Sequence, residues 1–199
     1  MRILTPTENH RFNELIGFVG ITIAVLLALS LLSYSPQDAS LNVAAPAGVS
    51  PARNWIGPVG AHTADLLFQV FGYASFLLPI GLMVLAWRWF RSQTVQAPTA
   101  KITGYVLLSL AVPAELTLMN MPEVRSALPA GGLLGTLLAE GLRAGFNSIG
   151  AHVVGLACLV AGLILSTRFS FALTAKWLRA RSCLRPRSAM WPNRCIRGR

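Results

Sequence analysis

Four long apolar segments alternate with polar stretches along the chain. The first contains eighteen residues without a charge, and as an α-helix it would extend about 27 Å, enough to cross the apolar core of a bilayer. The third is the weakest, because Pro113 and Glu115 interrupt it. The pattern predicts an all-α integral membrane protein with a bundle of four transmembrane helices at Leu15–Leu32, Leu66–Trp87, Ile102–Met121 and Ser148–Thr167.

A shorter amphipathic segment precedes the fourth apolar run. Between residues 131 and 147 apolar side chains recur at about every fourth position, while Glu140 and Arg143 share another face. The spacing and the two unlike faces predict an amphipathic helix that lies in the outer membrane interface. The apolar positions are Leu134, Leu138, Leu142 and Phe146.

Local signals refine the second and third spans. Gly57 and Pro58 mark a helix start, which would place Asp65 in the first turns, where the helix dipole favours an anion. Pro79 and Pro113 each remove a backbone hydrogen bond, and we expect each proline to kink its helix.

The composition agrees with a lipid environment. Hydrophobic residues make up 54% of the 199 residues and charged residues only 12%, about half the share typical of a soluble domain. This balance disfavours a soluble enzyme, a disordered regulator and a disulfide-stapled secreted domain. The three cysteines form no CxxC pattern and indicate neither a disulfide framework nor a zinc site.

The distribution of Lys and Arg predicts the orientation of the helices. Fourteen of the 17 basic residues lie in residues 1–14, in residues 88–101 and from Arg168 to the end of the sequence, and three lie in the other two loops. Because basic residues concentrate on the cytoplasmic side, both termini are predicted to be cytoplasmic and the loops 33–63 and 122–147 to lie outside. Tyr34 and Trp55 are then expected at the outer headgroup level. The predicted organisation is a cytoplasmic segment 1–14, a membrane domain 15–172 and a basic cytoplasmic tail 173–199.

The basic tail has three interpretations: it fixes the topology, it binds anionic lipid, or it contacts DNA. Lipid binding and topology are favoured over DNA, because the tail has basic charge but no motif that reads bases. The anionic-lipid candidates are Arg168, Lys176, Arg179, Arg181, Arg185 and Arg187.

Small residues at helical spacing indicate where helices approach closely. Such spacings allow backbones to pack either within one chain or between copies in a homo-oligomer, and the sequence serves both equally. The candidates are Gly131, Gly135, Gly141, Gly145, Gly155, Ala157, Ala161 and Gly162.

Three titratable residues in or near the spans are candidate functional groups. Glu115 is either a structural residue that reaches the outer interface, which we favour, or a proton or ion site. His62 and His152 fall at predicted helix starts and could ligate a haem or a metal, but neither has a partner at ligand spacing. We predict no catalytic residues and no cofactor.

Several blocks of sequence carry a family resemblance. They are SYSPQD at residues 33–38, NWIGPVGA at 54–61, ADLLFQVFG at 64–72, GGLLG at 131–135 and GA at 150–151. Their order and spacing resemble those of the N-terminal four-helix membrane domain of the FtsK/SpoIIIE family of DNA translocases, over about residues 15–172. The resemblance implies a division-septum protein of the bacterial inner membrane, whose membrane domain anchors a cytoplasmic hexameric ATPase used in chromosome partition.

The motor of that family does not extend into this chain. A phosphate-binding loop ends in Gly-Lys-Ser/Thr, and neither Lys101 nor Lys176 follows such a loop. We therefore expect a non-enzymatic anchor and scaffold, a truncated or split product whose partners are membrane lipids, other copies of the chain and septum proteins, with DNA reached only indirectly through a motor domain. The alternative is a small transporter or channel with a polar path along Glu115, Gln69, Pro79 and Pro113.

Reporter fusions test the predicted topology. Fusions after Tyr34, Gln96, Glu123 and Lys176 should report outside, inside, outside and inside in that order, because charge fixes the cytoplasmic side. An alkaline phosphatase and green fluorescent protein pair at each position provides opposite signals. Any other order contradicts four crossings with both ends in the cytoplasm.

Overall fold

The computed structural model describes residues 6–7, 9–39, 52–93, 97–125 and 128–167. These residues are helical apart from their connections and one isolated bridge between Val124 and Leu128, which confirms the all-α prediction. In chain order the helices are α1 (His10–Leu32), α2 (Gly57–Phe71), a 3₁₀ helix (Gly72–Phe76), α3 (Leu77–Phe90), α4 (Pro98–Leu118) and α5 (Gly132–Ser166).

Within the described ranges, four helical stretches are long and apolar enough to cross a membrane. They are His10–Leu32, Gly57–Phe90, Pro98–Leu118 and Gly132–Ser166. The four-span prediction is confirmed, and the first span ends at Leu32 as expected. Most boundaries differ by a few residues, because helices continue into polar sequence that a count of apolar residues leaves out.

The second span is not one continuous helix, contrary to expectation. Its α-helix starts early, at Gly57, and gives way to the 3₁₀ helix at Gly72. Gly72 has a φ of +57°, and a Cβ there would overlap the Ala130 carbonyl. The N–H of Tyr73 donates to that carbonyl at 2.8 Å. The helix breaks here because another segment of the chain docks directly against its backbone.

The two prolines lie at different places in their helices, and a kink at either one stays a prediction. Pro79 is the third residue of α3, which directly follows the 3₁₀ helix. The break lies upstream, at the 3₁₀ helix. Pro113 does lie inside α4, fully buried, and its carbonyl accepts a hydrogen bond from the Thr117 hydroxyl at 3.1 Å.

The long helix α5 consists of two helices joined at Asn147. This residue has a φ of 57° and a ψ of 177°, outside the helical region, and its side chain accepts a hydrogen bond from the Ser148 N–H at 2.7 Å. The break falls where the sequence separated the amphipathic segment from the fourth span. Leu142 packs on Leu118, Ala139 and Ala151, so part of the apolar stripe contacts protein. The location of the segment at the outer interface stays a prediction.

Small residues make up most of the buried apolar positions in the described ranges, while many large apolar side chains face outward. Exposed residues include Phe18, Ile80 and Val153, each about half exposed or more. In lipid, large side chains gain little from burial, and close packing of small residues holds helices together. Among the residues that the structure describes, ten alanines are buried: Ala24, Ala61, Ala64, Ala74, Ala86, Ala111, Ala114, Ala130, Ala139 and Ala151.

Glycines mark two main helix contacts. On α1, Gly17 lies against the backbone of Phe90 and Gly20 against Ala86, so α1 packs antiparallel to α3. On α4, Gly104 lies against Ser166 at the end of α5. A side chain at either Gly17 or Gly104 would overlap backbone atoms of the neighbouring helix.

The predicted small-residue candidates divide into two groups. Gly131 and Gly135 lie against Pro113 and Thr117 of α4, Gly155 against Glu115, and Gly162 against Leu108. These four are buried, whereas Ala157 is exposed and Ala161 is half-buried. A Cβ at Gly141 or Gly145 would meet nothing within 4 Å. Of the predicted glycines, therefore, only Gly131, Gly135, Gly155 and Gly162 lie in contact with another helix in the described structure.

Paired leucine substitutions test which glycines hold α5 to α4. Gly155→Leu with Gly162→Leu should destabilise the fold by about 1–3 kcal/mol per site, because overpacking forces the helices apart. Gly141→Leu with Gly145→Leu is the matched control and should gain about 0.8 kcal/mol per site from helix propensity. Unfolding in mixed micelles provides the measurement. Equal effects of the two pairs would contradict the packing described here.

Candidate functional site

A carboxylate closes the first loop at its base. The two oxygens of Asp38 accept hydrogen bonds from the backbone N–H groups of Arg53 and Asn54, each at 2.9 Å. The Arg53 guanidinium also donates to the side chain of Gln37 at 2.7 Å. Asp38 is buried. Residues 39 and 52, on either side of the undescribed part of the loop, are therefore held together by a charged acceptor, one of the stronger kinds of hydrogen bond.

A second set of contacts joins the end of α1 to the start of α2. The Asn54 amide donates to the Ser30 carbonyl at 2.9 Å, and the Ser30 hydroxyl donates to the Gly60 carbonyl at 2.7 Å. The Trp55 N–H donates to the Ser33 hydroxyl at 3.1 Å. Asn54 and Ser30 are buried, whereas Trp55 is 70% exposed. A rigid backbone therefore presents an exposed indole ring.

Tyr34 and Asp65 form a buried pair beneath this surface. The Tyr34 hydroxyl donates to Asp65 at 2.9 Å, and the Gln69 amide donates to the other carboxylate oxygen at 2.6 Å. The Tyr34 ring packs on Phe68 with centroids 4.9 Å apart. Burial raises the pKa of the Tyr34 hydroxyl above its ordinary value of 10, and the hydrogen bond to Asp65 and its negative charge raise the pKa further.

These contacts bear on two expectations. Tyr34 is only 5% exposed, so its ring is covered by protein, and its position at the outer headgroup level stays a prediction. Asp65 is the ninth residue of α2, beyond the first turns, so the helix dipole is not what stabilises it. Asp65 is instead stabilised by the Tyr34 hydroxyl and the Gln69 amide, which donate hydrogen bonds to it. The sequence analysis did not indicate either donor.

The second loop packs on the same end of the bundle. Val124 is 1% exposed and joins Leu31, Tyr34, Ala64 and Phe68 in one apolar cluster. The Arg125 guanidinium donates to the Leu32 carbonyl at 3.3 Å, at the end of α1. We name residues 33–39, 52–56 and 119–131, so far as they are described, the loop surface. Both loops contribute to it, as their common side in the predicted topology requires.

A separate polar contact lies between α4 and α5. The Glu115 carboxylate is 5% exposed, and its Oε2 lies 3.1 Å from Nδ1 of His152. Its Oε1 lies against Gly155 and has no hydrogen-bond partner among the described residues. Glu115 therefore turns towards α5, and His152, which has no partner at ligand spacing in the sequence, contacts this carboxylate from the neighbouring helix. Gly155 leaves the space that this carboxylate fills.

The other candidate histidine, His62, makes its hydrogen bond within its own helix. Nδ1 of His62 lies 2.8 Å from the Pro58 carbonyl, one turn earlier in α2. In the part of the chain that the structure describes, no group of three or more His, Cys, Asp or Glu side chains could hold a metal ion. The polar contacts among the described residues join segments of the chain to one another. They hold the backbone of the loop surface in place.

Comparison with known proteins identifies the family. Residues 9–179 match the family model described as the 4TM region of DNA translocase FtsK/SpoIIIE. The chain belongs to this family. The FtsK/SpoIIIE region thus covers all five α-helices, and the blocks at 33–38 and 54–61 that carried the resemblance contain Asp38, Asn54 and Trp55 of the loop surface.

Individual relatives give the same result. The chain is 32% identical over 157 residues to a DNA translocase FtsK from Azospirillum brasilense, covering 76% of this chain and 24% of that protein. It is 29% identical over 190 residues to the FtsK of Vibrio vulnificus, covering 88% and 19%. It therefore spans a quarter or less of the length of these FtsK relatives. No solved structure matches the chain.

The family match does not test the predicted lipid-binding residues of the tail. The tail candidates Arg168, Lys176, Arg179, Arg181, Arg185 and Arg187 lie outside the described residues. Sequence reasoning missed the Asp38 contacts, the Tyr34–Asp65 pair and the partner of Glu115. Each joins residues far apart in the chain, and the only local signal was an unexpected acid or amide in apolar surroundings.

Replacing Tyr34 by Phe tests the buried pair. The change removes one donor from a buried carboxylate and should cost about 1–3 kcal/mol of unfolding free energy near pH 8. Because the folded pKa of Tyr34 is raised, its contribution is complete below pH 10 and is lost as pH rises beyond that value. Urea unfolding in micelles at pH 8 and pH 11 should show a smaller difference at the higher pH. An equal difference at both values contradicts the assignment.

Proposed function

We propose that this chain is the membrane anchor and scaffold of a bacterial cell-division DNA translocase, and that it tethers the translocase at the septum. The observation that carries the proposal is the family match over residues 9–179, together with four membrane-spanning stretches. The relatives are named DNA translocase FtsK, and the matched part is the membrane region of those proteins. Translocation itself would belong to a motor beyond the matched region.

The loop surface is the proposed contact with division proteins. Its backbone is fixed by buried hydrogen bonds from Asp38, Asn54 and Ser30, so little ordering is lost when a partner binds. Trp55 is 70% exposed and Val59 is 73% exposed beside it. An exposed tryptophan on a rigid backbone is typical of the residues that dominate protein interfaces.

The proposed topology and assembly rest on charge and on open helix faces. Both termini lie in the cytoplasm in this proposal, since fourteen of the 17 basic residues fall on that side. Gly141 and Gly145 have open space where a Cβ would lie. A neighbouring copy could approach the backbone closely there, which supports a homo-oligomer as the assembled form.

Localisation of a fluorescent fusion tests the septal role. The fusion should concentrate at mid-cell in dividing cells, and Trp55→Ala should lower that enrichment several-fold, because a central tryptophan often contributes 2 kcal/mol or more at an interface. Ile80→Ala, at a residue 59% exposed within α3, is the control and should leave enrichment unchanged. Membrane levels of each variant are measured by immunoblot.

A transport role is the competing proposal, and the buried Glu115–His152 contact is the observation in its favour. Uniform membrane fluorescence together with ion flux in proteoliposomes, abolished by Glu115→Gln, would replace the anchor by a transporter. An anchor keeps its mid-cell enrichment in the Glu115→Gln variant and produces no flux.

A further inference from the structure

A shallow groove lies at the C-terminal end of α3. It has a volume of about 260 Å³ and is lined by Met83, Val84, Trp87, Arg88 and Gln93. Val84 and Trp87 are each more than half exposed. The groove is therefore apolar along the helix and carries a cation and an amide at one end.

The turn after α3 fixes the polar end of the groove. The N–H of Gln93 donates to the Arg88 carbonyl at 2.9 Å, and the N–H of Ser92 donates to the Trp89 carbonyl at 2.8 Å. This is a Schellman turn, which usually has glycine where Ser92 adopts a φ of 49°. The buried Asn13 amide of α1 reaches the Ser92 hydroxyl at 3.4 Å. Gln93 is thus held beside Arg88 by a turn that α1 supports.

Among the described residues, no anionic group pairs with Arg88. Arg88 is half-buried, and within the described ranges its guanidinium has no hydrogen bond or ion pair. The neighbouring Arg91 instead lies over the Trp87 ring, 5.6 Å from its centroid. Glu14, on the part of α1 that faces this end of α3, is paired with His10 at 3.2 Å. A guanidinium partly removed from water is most stable with a bidentate anion such as phosphate.

We propose that the groove binds an anionic phospholipid of the leaflet that faces the predicted cytoplasm. The acyl chain lies along Met83, Val84 and Trp87, and the phosphate oxygens accept hydrogen bonds from the Arg88 guanidinium and the Gln93 amide. The ligand needs both an apolar chain and an anionic headgroup, because the groove has an apolar wall along the helix and a cation at one end. The inference requires only the membrane setting of the family, and it is independent of septal anchoring.

Fluorescence quenching by brominated lipids tests the site in the full chain. The parent variant keeps Trp87 and has Phe at the other four tryptophans, Trp55, Trp89, Trp177 and Trp191. In vesicles, brominated phosphatidylglycerol should bind beside Trp87 about fivefold more strongly than brominated phosphatidylcholine, the ratio expected for roughly 1 kcal/mol from one basic residue. Arg88→Gln should bring the two lipids to equal quenching.

Matched variants separate a headgroup site from general charge attraction. Arg143→Gln removes one positive charge from the loop end of the bundle. It should leave unchanged the ratio of phosphatidylglycerol binding to phosphatidylcholine binding beside Trp87. Gln93→Leu, outside the helix, should weaken the binding of both lipids beside Trp87 by roughly threefold, because it removes a hydrogen bond to the phosphate that the two lipids share. Circular dichroism checks that each variant keeps its helices.

Either of two results would overturn the proposal, and a third applies if Arg88→Gln does not keep its helices. One is equal quenching of Trp87 by the two lipids in the parent, which would leave Arg88 as a helix-end charge without a ligand. The other is an equal fall in the ratio for Arg88→Gln and Arg143→Gln, which would mean that charge attracts the lipid wherever it stands. If Arg88→Gln loses helicity, unchanged quenching by both lipids in Gln93→Leu also contradicts the site.

Discussion

Close approach of helix backbones is the constraint on which this structure depends. Lipid tails are as apolar as leucine, so burying large side chains does not drive helices together in a membrane. The chain instead buries glycine and alanine, and a Cβ at Gly17 or Gly104 would overlap the backbone of the next helix. Large apolar residues are left outside, where they face lipid at no cost.

Buried polar groups supply the second part of the stability, and they also fix the register between elements. Ser30 and Asn54 join α1 to the segment before α2, Tyr34 joins Asp65, and Glu115 joins His152. Each bond forms where water is scarce, so an unpaired group would cost more than it would at a soluble surface. The polar contacts therefore select one arrangement among the many that small residues alone would permit.

Hydrophobic length was sufficient to predict the four spans, because it follows directly from the thickness of a bilayer. The break at Gly72 was not predictable, since it depends on Ala130 approaching from a distant segment. The partners of Asp65 and Glu115 were missed for the same reason. A single sequence shows that an acid lies in apolar surroundings, but it does not show which donor will face it.

The central claim is that the exposed apolar surface faces lipid, and spin-label accessibility measures this directly. Labels at Phe18, Ile80 and Val153, placed in a background without the three native cysteines, are compared with a label at Trp55 in vesicles. The account predicts high collision rates with oxygen and low rates with a water-soluble nickel complex at the first three positions. Rates at those positions that favour the nickel complex, as in a water-exposed surface, would contradict it.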